Sequence, residues 1–155
     1  MMHLLTTRYS IRLFIIILFV GLASCQKDPN ENQAIKDREK ILEYLADNDL
    51  EAQEHESGLF YIIENEGVGN HPSSNSVVLI SYKGYFLDEE IFDARENARM
   101  ELNQTIQGWG IGIPLFKKGG NGILFIPSAL GYGPYGSMGI PGNSVLIFEV
   151  ELIEY

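Results

Sequence analysis

The chain has 155 residues, a length that accommodates one domain with a short appendage and excludes a two-domain enzyme. Apolar residues make up 45% and charged residues 21%, so the chain can fill a hydrophobic core and is not disordered or fibrous. The 21 Asp and Glu outnumber the 11 Lys and Arg, which gives a net charge of -10. Because this charge repels polyphosphate, we expect no nucleic-acid partner.

The first 25 residues have the pattern of an export signal. Arg8 and Arg12 precede an apolar run over 13–22, which is too short for a comfortable membrane span. The run ends in Leu22-Ala23-Ser24-Cys25, and Cys25 is the only cysteine of the chain. This string resembles the lipobox of bacterial lipoproteins, in which the cysteine is acylated on sulfur and becomes the first residue after cleavage.

The lipobox resemblance implies that residues 1–24 are a signal peptide and that Cys25 carries the lipid. We therefore expect a lipid-anchored protein of the cell envelope, on the periplasmic face or the cell surface. An ordinary signal peptide with a chance cysteine and an uncleaved signal anchor are the alternatives.

Composition divides the remaining chain near Ser57. Residues 25–56 are densely charged and lack glycine, whereas 15 of the 16 glycines lie between Gly58 and Gly142. An apolar stripe at helical spacing predicts an amphipathic helix around 32–47. The stripe consists of Ile35, Ile41, Leu42, Leu45 and Ala46. We interpret residues 25–56 as a lipidated tether and 57–155 as the folded domain of a monomer; pairing of two chains through the helix is the alternative.

From Ser57 onward, a hydrophobic period of two predicts β-strands. The clearest strands are 78–86 and 146–152, where alternate residues such as Tyr82 and Phe148 point inward. Shorter candidates are 59–64, 91–93, 100–102 and 123–126. One short helix fits among them, since Ile106, Trp109, Gly110 and Ile113 repeat at helical spacing. The predicted fold is α+β, a curved antiparallel sheet of about five strands wrapped around this helix, with the amphipathic helix before it.

Motifs for metal, nucleotide or nucleophile chemistry are missing from the sequence. His3, His55 and His71 are far apart, and no zinc, phosphate-loop or serine-elbow motif occurs. Residues 131–136 match G-x-G-x-x-G, but the residues after them cannot begin the helix that a dinucleotide site requires. We therefore expect no cofactor and no metal.

Five short motifs carry a specific resemblance. In chain order they are Ser81-Tyr82-Lys83-Gly84-Tyr85, Ile91-Phe92-Asp93, Ile106-Gln107-Gly108-Trp109, Leu130-Gly131-Tyr132-Gly133 and Leu146-Ile147-Phe148-Glu149-Val150-Glu151-Leu152. In order and spacing this set resembles the FK506-binding-protein (FKBP) type peptidyl-prolyl cis-trans isomerases over about residues 57–155. The resemblance implies an isomerase that rotates Xaa-Pro bonds in exported polypeptides.

The resemblance also implies an apolar pocket for the proline ring. Trp109 would form its floor and Ile106 one side, with walls from Tyr82, Phe92 and Phe148. Taken singly, each inward aromatic is better explained by plain core packing, because inward Tyr and Phe on strands usually serve only that. Their joint occurrence in the family order favours a pocket.

Polar groups at the pocket follow from the same resemblance. The backbone N–H of Ile106 and the hydroxyl of Tyr132 would donate to substrate carbonyls. Asp93 would accept from the Tyr82 hydroxyl, and Ile140 would be a flap over the proline.

The chain departs from the family pattern at several positions. Where many members have an aromatic residue on the strand before the helix, this chain has Met100 or Leu102, and Ala94 and Arg95 replace the usual serines. The softer wall lowers the expected turnover. The replaced serines lower the expected affinity for macrolide inhibitors. A non-catalytic proline-peptide binding module is therefore the main alternative, and a structural lipoprotein that uses the domain as a scaffold is the second.

Overall fold

The structure, a computed structural model, describes residues 29–155, so the predicted signal peptide and Cys25 lie outside the described residues. Two α-helices and six strands occur in this range, joined in places by 3-10 turns. In chain order they are α1 (Pro29–Asp47), β1 (Gln53–Glu54), β2 (Phe60–Asn65), β3 (Val77–Tyr85), β4 (Ile91–Glu101), α2 (Gln107–Gly112), β5 (Gly120–Ile126) and β6 (Leu146–Glu154).

All six described strands form one antiparallel sheet, in the order β1-β2-β5-β6-β3-β4. β6 lies near the middle, between β5 and β3. Its register places Phe148 opposite Leu124 on one side and opposite Gly84 on the other. The predicted α+β architecture, an antiparallel sheet with one short helix and an N-terminal helix, is confirmed.

The inner face of the sheet packs against α2. The alternate β6 residues predicted to point inward are almost fully buried: Leu146, Phe148, Val150 and Leu152 are each at most 4% exposed. Trp109 of α2 and Ile113 just after it belong to the same hydrophobic cluster. At roughly 25 cal/mol per Å² of apolar surface, this burial is the main stabilisation of the sheet.

Part of the outer face is apolar too, and α1 covers that part. Ile41 and Leu45 of α1 are buried against Phe60, Phe125 and Ile147, which lie on strands β2, β5 and β6. The helix that we expected within a tether is therefore packed on the sheet. β1, also before Ser57, pairs with β2 and adds the sixth strand. The stripe on α1 docks because Ile123, Phe125 and Ile147, which are odd-numbered residues of β5 and β6, make this part of the second face apolar.

The segments 91–93 and 100–102 were predicted as separate strands, but the structure joins them in one strand, β4. Its pairing with β3 runs from Glu101 opposite Val77 to Ile91 opposite Tyr85, with two register shifts. β4 is an edge strand, and of the residues between the two apolar segments, 94–99, all but the half-buried Ala98 are exposed. Backbone pairing with β3 holds them in the sheet without the apolar alternation that reveals a strand in sequence.

Both helices have local causes for their limits. Pro29 begins α1, three residues before the predicted start, and proline is favoured in the first helical turn because its fixed φ suits it. Pro114 lies in the 3-10 turn that follows α2 and cannot continue an α-helix. Neither helix of residues 29–155 is long and apolar enough to cross a membrane.

The docking of α1 predicts different costs for two neighbouring apolar residues. Ile41→Ala should destabilise the fold by about 2–5 kcal/mol, since Ile41 has no exposed surface and its truncation leaves a cavity. Leu42→Ala is the matched control, because Leu42 is 39% exposed and should cost much less. Urea unfolding of the fragment from Gln26 measures both, and equal losses would contradict a docked helix.

Candidate active site

One cavity of about 600 Å³ opens beside α2 on the inner side of the sheet. The eight residues predicted for the site all line it, together with six others. The lining residues are Tyr82, Phe92, Asp93, Arg95, Met100, Gln104, Thr105, Ile106, Trp109, Tyr132, Ser137, Met138, Ile140 and Phe148. Residues from positions 82 to 148 of the chain are therefore brought to one place by the sheet.

Aromatic rings meeting edge to face form the apolar part of the cavity. Trp109 is 3% exposed, and its ring centroid lies 4.9 Å from that of Tyr82 and 5.3 Å from that of Phe148, at interplanar angles of 89° and 83°. Phe92 meets Phe148 at 5.5 Å and 86°. Such T-shaped contacts are worth about 0.5–1.5 kcal/mol each beyond area burial, so the rings hold one another in place.

A glycine on β3 makes room for two of these rings. A Cβ at Gly84 would lie 2.7 Å from the Phe148 ring and 2.8 Å from the Phe92 ring, closer than real Cβ contacts come. The absence of a side chain at Gly84 therefore allows Phe92 and Phe148 to meet across β3, between β4 and β6.

The acid–phenol pair predicted from the family resemblance is present in the structure. The Tyr82 hydroxyl donates to Oδ2 of Asp93 at 2.6 Å, and Nε of Arg95 lies 3.7 Å from the other carboxylate oxygen. Burial and the bond to Asp93 raise the pKa of Tyr82 well above its ordinary value, because both favour the neutral phenol. The phenol thus stays protonated to a more alkaline pH than that of an ordinary tyrosine, and its bond to Asp93 fixes the ring.

The entry into α2 sets the positions of Ile106 and Trp109. Ile106 is the N-cap residue, with an extended backbone (φ -62°, ψ 150°), and its carbonyl accepts from the Trp109 amide at 3.0 Å. Among the described residues, no backbone carbonyl accepts from the Ile106 amide, which leaves this donor available at the cavity. The indole N–H of Trp109 is buried and also lacks a partner in the described part of the chain.

The loop after β5 supplies the open side of the cavity. Tyr132 is 39% exposed, whereas Met138 at the tip is 99% exposed. Ser137 and Ile140 exchange two backbone hydrogen bonds of 2.9 Å, which make the end of the loop a tight hairpin. Ile140 therefore stands at the cavity on a short, hydrogen-bonded projection.

The sequence analysis did not decide which residue forms one wall of the cavity, and it did not identify some of the other lining residues. The structure places Met100 at the cavity and Leu102, 1% exposed, in the core, which settles the choice between them. Strand alternation favours Met100, since it pairs with the inward Val78. Met138 was missed because no periodicity reveals where a glycine-bounded loop points, and Arg95 because it was read only as a departure from a pattern.

The cavity lining offers little titratable chemistry. Asp93 is its one carboxylate and is engaged by Tyr82 and Arg95. Within residues 29–155, no group of three or more His, Cys, Asp or Glu side chains is placed to hold a metal ion.

Comparison with known proteins identifies the family. The family model for FKBP-type peptidyl-prolyl cis-trans isomerase matches residues 69–153, which is more than half of the chain. The chain belongs to this family. All the cavity-lining residues from Tyr82 to Phe148 lie inside the matched segment.

Individual relatives of the FKBP family give the same result. The chain is 39% identical over 137 residues to FkpA, an FKBP-type peptidyl-prolyl cis-trans isomerase of Aeromonas hydrophila. The aligned region covers 84% of this chain and 49% of the relative. FkpA of Escherichia coli strain K12 is 35% identical over 136 residues, which covers 85% and 49%. The chain thus spans about half the length of these curated relatives.

Two solved structures share the fold. The crystal structure of FkpA from Escherichia coli superposes with a TM-score of 0.70 at 35% identity, over 80% of this chain and 61% of that one. A peptidyl-prolyl cis-trans isomerase from Pseudomonas syringae pv. tomato DC3000 superposes with a TM-score of 0.69 at 28% identity, over 82% and 96%.

The raised pKa of Tyr82 predicts how stability falls at alkaline pH. In the unfolded chain a tyrosine ionises near its ordinary value of about 10, whereas the folded state holds the Tyr82 phenol neutral above it. Its contribution to stability is therefore present below about pH 10 and is lost as the pH rises from there towards the folded-state pKa. Unfolding free energies measured in urea between pH 9 and 12 should fall less steeply for Tyr82→Phe than for the parent. Tyr135→Phe, at a side chain 95% exposed, is the control, and parallel curves for Tyr82→Phe and the parent would contradict the assignment.

Proposed function

We propose that this chain catalyses cis-trans isomerisation of Xaa-Pro bonds in exported polypeptides. The observation that carries the proposal is the single cavity in which Trp109, the surrounding aromatic rings and the fixed Tyr82–Asp93 pair come together. Membership of the FKBP family supports it. The substrates are exposed proline-containing segments, and the reaction uses no cofactor.

The chemistry suits an apolar cavity. Rotation about the amide has a barrier of about 18–20 kcal/mol because resonance is broken, and the uncatalysed exchange takes roughly 10–100 s. The twisted amide has lost much of its charge separation, so it prefers an apolar, water-poor surrounding more than the planar amide does. A cavity that binds the twisted form better lowers the barrier by differential binding, and no bond is cleaved.

Each side chain has a role in this mechanism. The proline ring lies on Trp109, against the walls formed by Tyr82, Phe92 and Phe148. The Ile106 amide donates to a substrate carbonyl and the Tyr132 hydroxyl to another, which holds the peptide on both sides of the rotating bond. Ile140 closes over the ring and excludes water.

A non-catalytic proline-peptide binding module is the second candidate, and Met100 is the observation that favours it. Its flexible thioether occupies a cavity wall where many family members have an aromatic ring. A softer wall holds proline but constrains the twisted amide less.

We also propose that the protein is a bacterial lipoprotein, anchored through Cys25 to a membrane of the cell envelope. The support is the sequence: an apolar run that ends at the sole cysteine, within a string that resembles a lipobox. Multiple acyl chains would give stable attachment, since one chain alone binds marginally.

We further propose that the protein is a monomer. α1 is the segment with an apolar stripe that could pair two chains, and its most apolar residues, Ile41 and Leu45, are already buried against the sheet. Ile35 and Leu42 stay 39% exposed each, which leaves a small surface for self-association.

Isomerase activity predicts faster proline-limited refolding of a test protein. The fragment from Gln26 should accelerate the slow phase, and Trp109→Ala should lose about 10-fold or more of that effect, because the floor of the cavity is gone. Leu42→Ala, remote from the cavity, is the matched control and should act like the parent.

The same sample distinguishes the two candidates. Binding of a Leu-Pro peptide that changes Trp109 fluorescence, without any acceleration by the parent, would support the binding module and contradict the isomerase. No fluorescence change and no acceleration would contradict both.

The lipid anchor predicts acylation at one residue. In bacteria that express the full chain, an alkyne-labelled fatty acid should mark the protein and place it in the membrane fraction, whereas Cys25→Ser should abolish both the label and the membrane association. Equal labelling of the two forms would contradict the assignment.

A further inference from the structure

One charged side chain of α1 is fully buried, although that helix presents many charged residues to solvent. Asp37 has no exposed surface, and its carboxylate accepts three hydrogen bonds. Oδ1 accepts from the Gln33 amide at 2.7 Å, and Oδ2 accepts from the Ser128 backbone N–H at 2.8 Å and the Ser128 hydroxyl at 2.5 Å. Burying a carboxylate is costly unless donors replace its hydration, so Asp37 ties α1 to one defined point of the domain.

The partner of Asp37 lies between β5 and the loop at the cavity. Ser128 is 2% exposed and begins the 3-10 turn Ser128–Leu130. The residue before it, Pro127, makes no side-chain cap for the turn. Since the first N–H groups of a helical turn need acceptors, Asp37 supplies the cap from a helix that is 91 residues away in sequence.

The turn passes this constraint on to the cavity. The Ser128 carbonyl accepts from the N–H groups of Gly131 at 3.0 Å and Gly133 at 2.8 Å, the two residues that flank Tyr132. The Gly133 carbonyl in turn accepts from the Asn143 amide at 2.9 Å, which closes the loop that contains Ile140. A continuous series of hydrogen bonds therefore runs from α1 to the two glycines beside Tyr132 and on to Asn143, beyond Ile140.

We propose that Asp37 is a positioning residue for the active site. From the outer face of the sheet, its carboxylate fixes the Ser128 turn and thereby the place of the Tyr132 hydroxyl and of the loop over the cavity. The aromatic rings around Trp109 pack separately, on the inner face, and do not depend on it. The consequence for catalysis rests on the proposed function, whereas the consequence for the geometry of the loop does not.

The loop geometry is tested by hydrogen exchange and mass spectrometry on the full chain in detergent. In Asp37→Ala, peptides spanning 129–134 should exchange about 10-fold faster, because the capping bonds of the turn are lost. Ile41→Ala is the matched control: it loosens the same helix but keeps both Ser128 bonds, so its faster exchange should spread over all elements. Asp37→Asn keeps the size and one acceptor oxygen, and should fall between Asp37→Ala and the parent.

The effect on substrate is tested by a double-mutant cycle with Tyr132→Phe. Asp37→Ala should raise KM for a Leu-Pro peptide about 5-fold and change kcat less than about 2-fold, since the contact is made in both the ground and transition states. In the Asp37→Ala/Tyr132→Phe double variant, the fold-increases in KM of the two single variants should not multiply, because both substitutions act through the Tyr132 hydroxyl. Ile41→Ala, assayed where each variant is folded, should leave KM unchanged.

Two outcomes would overturn the proposal. The first concerns the hydrogen-exchange rate of residues 129–134. If Asp37→Ala and Asp37→Asn exchange there at the same rate as Ile41→Ala, Asp37 only anchors α1. The second is a double variant in which the fold-increases in KM of the two single variants multiply fully. If the parent lacks turnover, the same cycle is measured as peptide affinity by the fluorescence of Trp109, the sole tryptophan, so failure of the isomerase function is distinguishable from failure of this proposal.

Discussion

The alternation of side chains along β6 is the constraint on which the rest of the structure depends. Its even-numbered residues, among them Phe148, face α2 and the cavity, whereas Ile147 faces α1. The even-numbered face is buried along the strand and the other face is buried at Ile147, so a shift of one residue would exchange the two sets. The pocket and the docking site of α1 are therefore two results of one register.

The cavity shows how little ionisable chemistry this site contains. Its carboxylate is bonded to the Tyr82 hydroxyl, and the edge-to-face contacts around Trp109 fix the shape of the cavity. A rigid shape matters more than proton transfer when the reaction is a bond rotation, since selectivity for the twisted amide is a matter of fit and polarity. Gly84 contributes to this shape by the side chain that it lacks.

The sequence predicted the inner half of the fold better than the outer half. Period two identified the inward residues of β3 and β6. Five spaced motifs contain seven of the eight predicted site residues, and the structure gathers all eight around one cavity. The outer face was not predicted because Phe125 and Ile147 look like ordinary strand residues until a helix is known to cover them. The bond between Asp37 and Ser128 joins residues 91 positions apart, and no local pattern signals such a pair. β4 was divided in two because an edge strand needs no continuous apolar alternation.

The strand order also has a consequence for how the chain assembles. β2 and β3 follow each other in sequence but are separated in the sheet by β5 and β6. Until β6 inserts between them, the sheet consists of two unconnected halves, each with a bare edge. We therefore expect the complete sheet to form late and cooperatively, because its formation closes long loops. Such behaviour is typical of slowly folding β-rich topologies. A chain emerging N-terminus first would stay open until its final strand arrived.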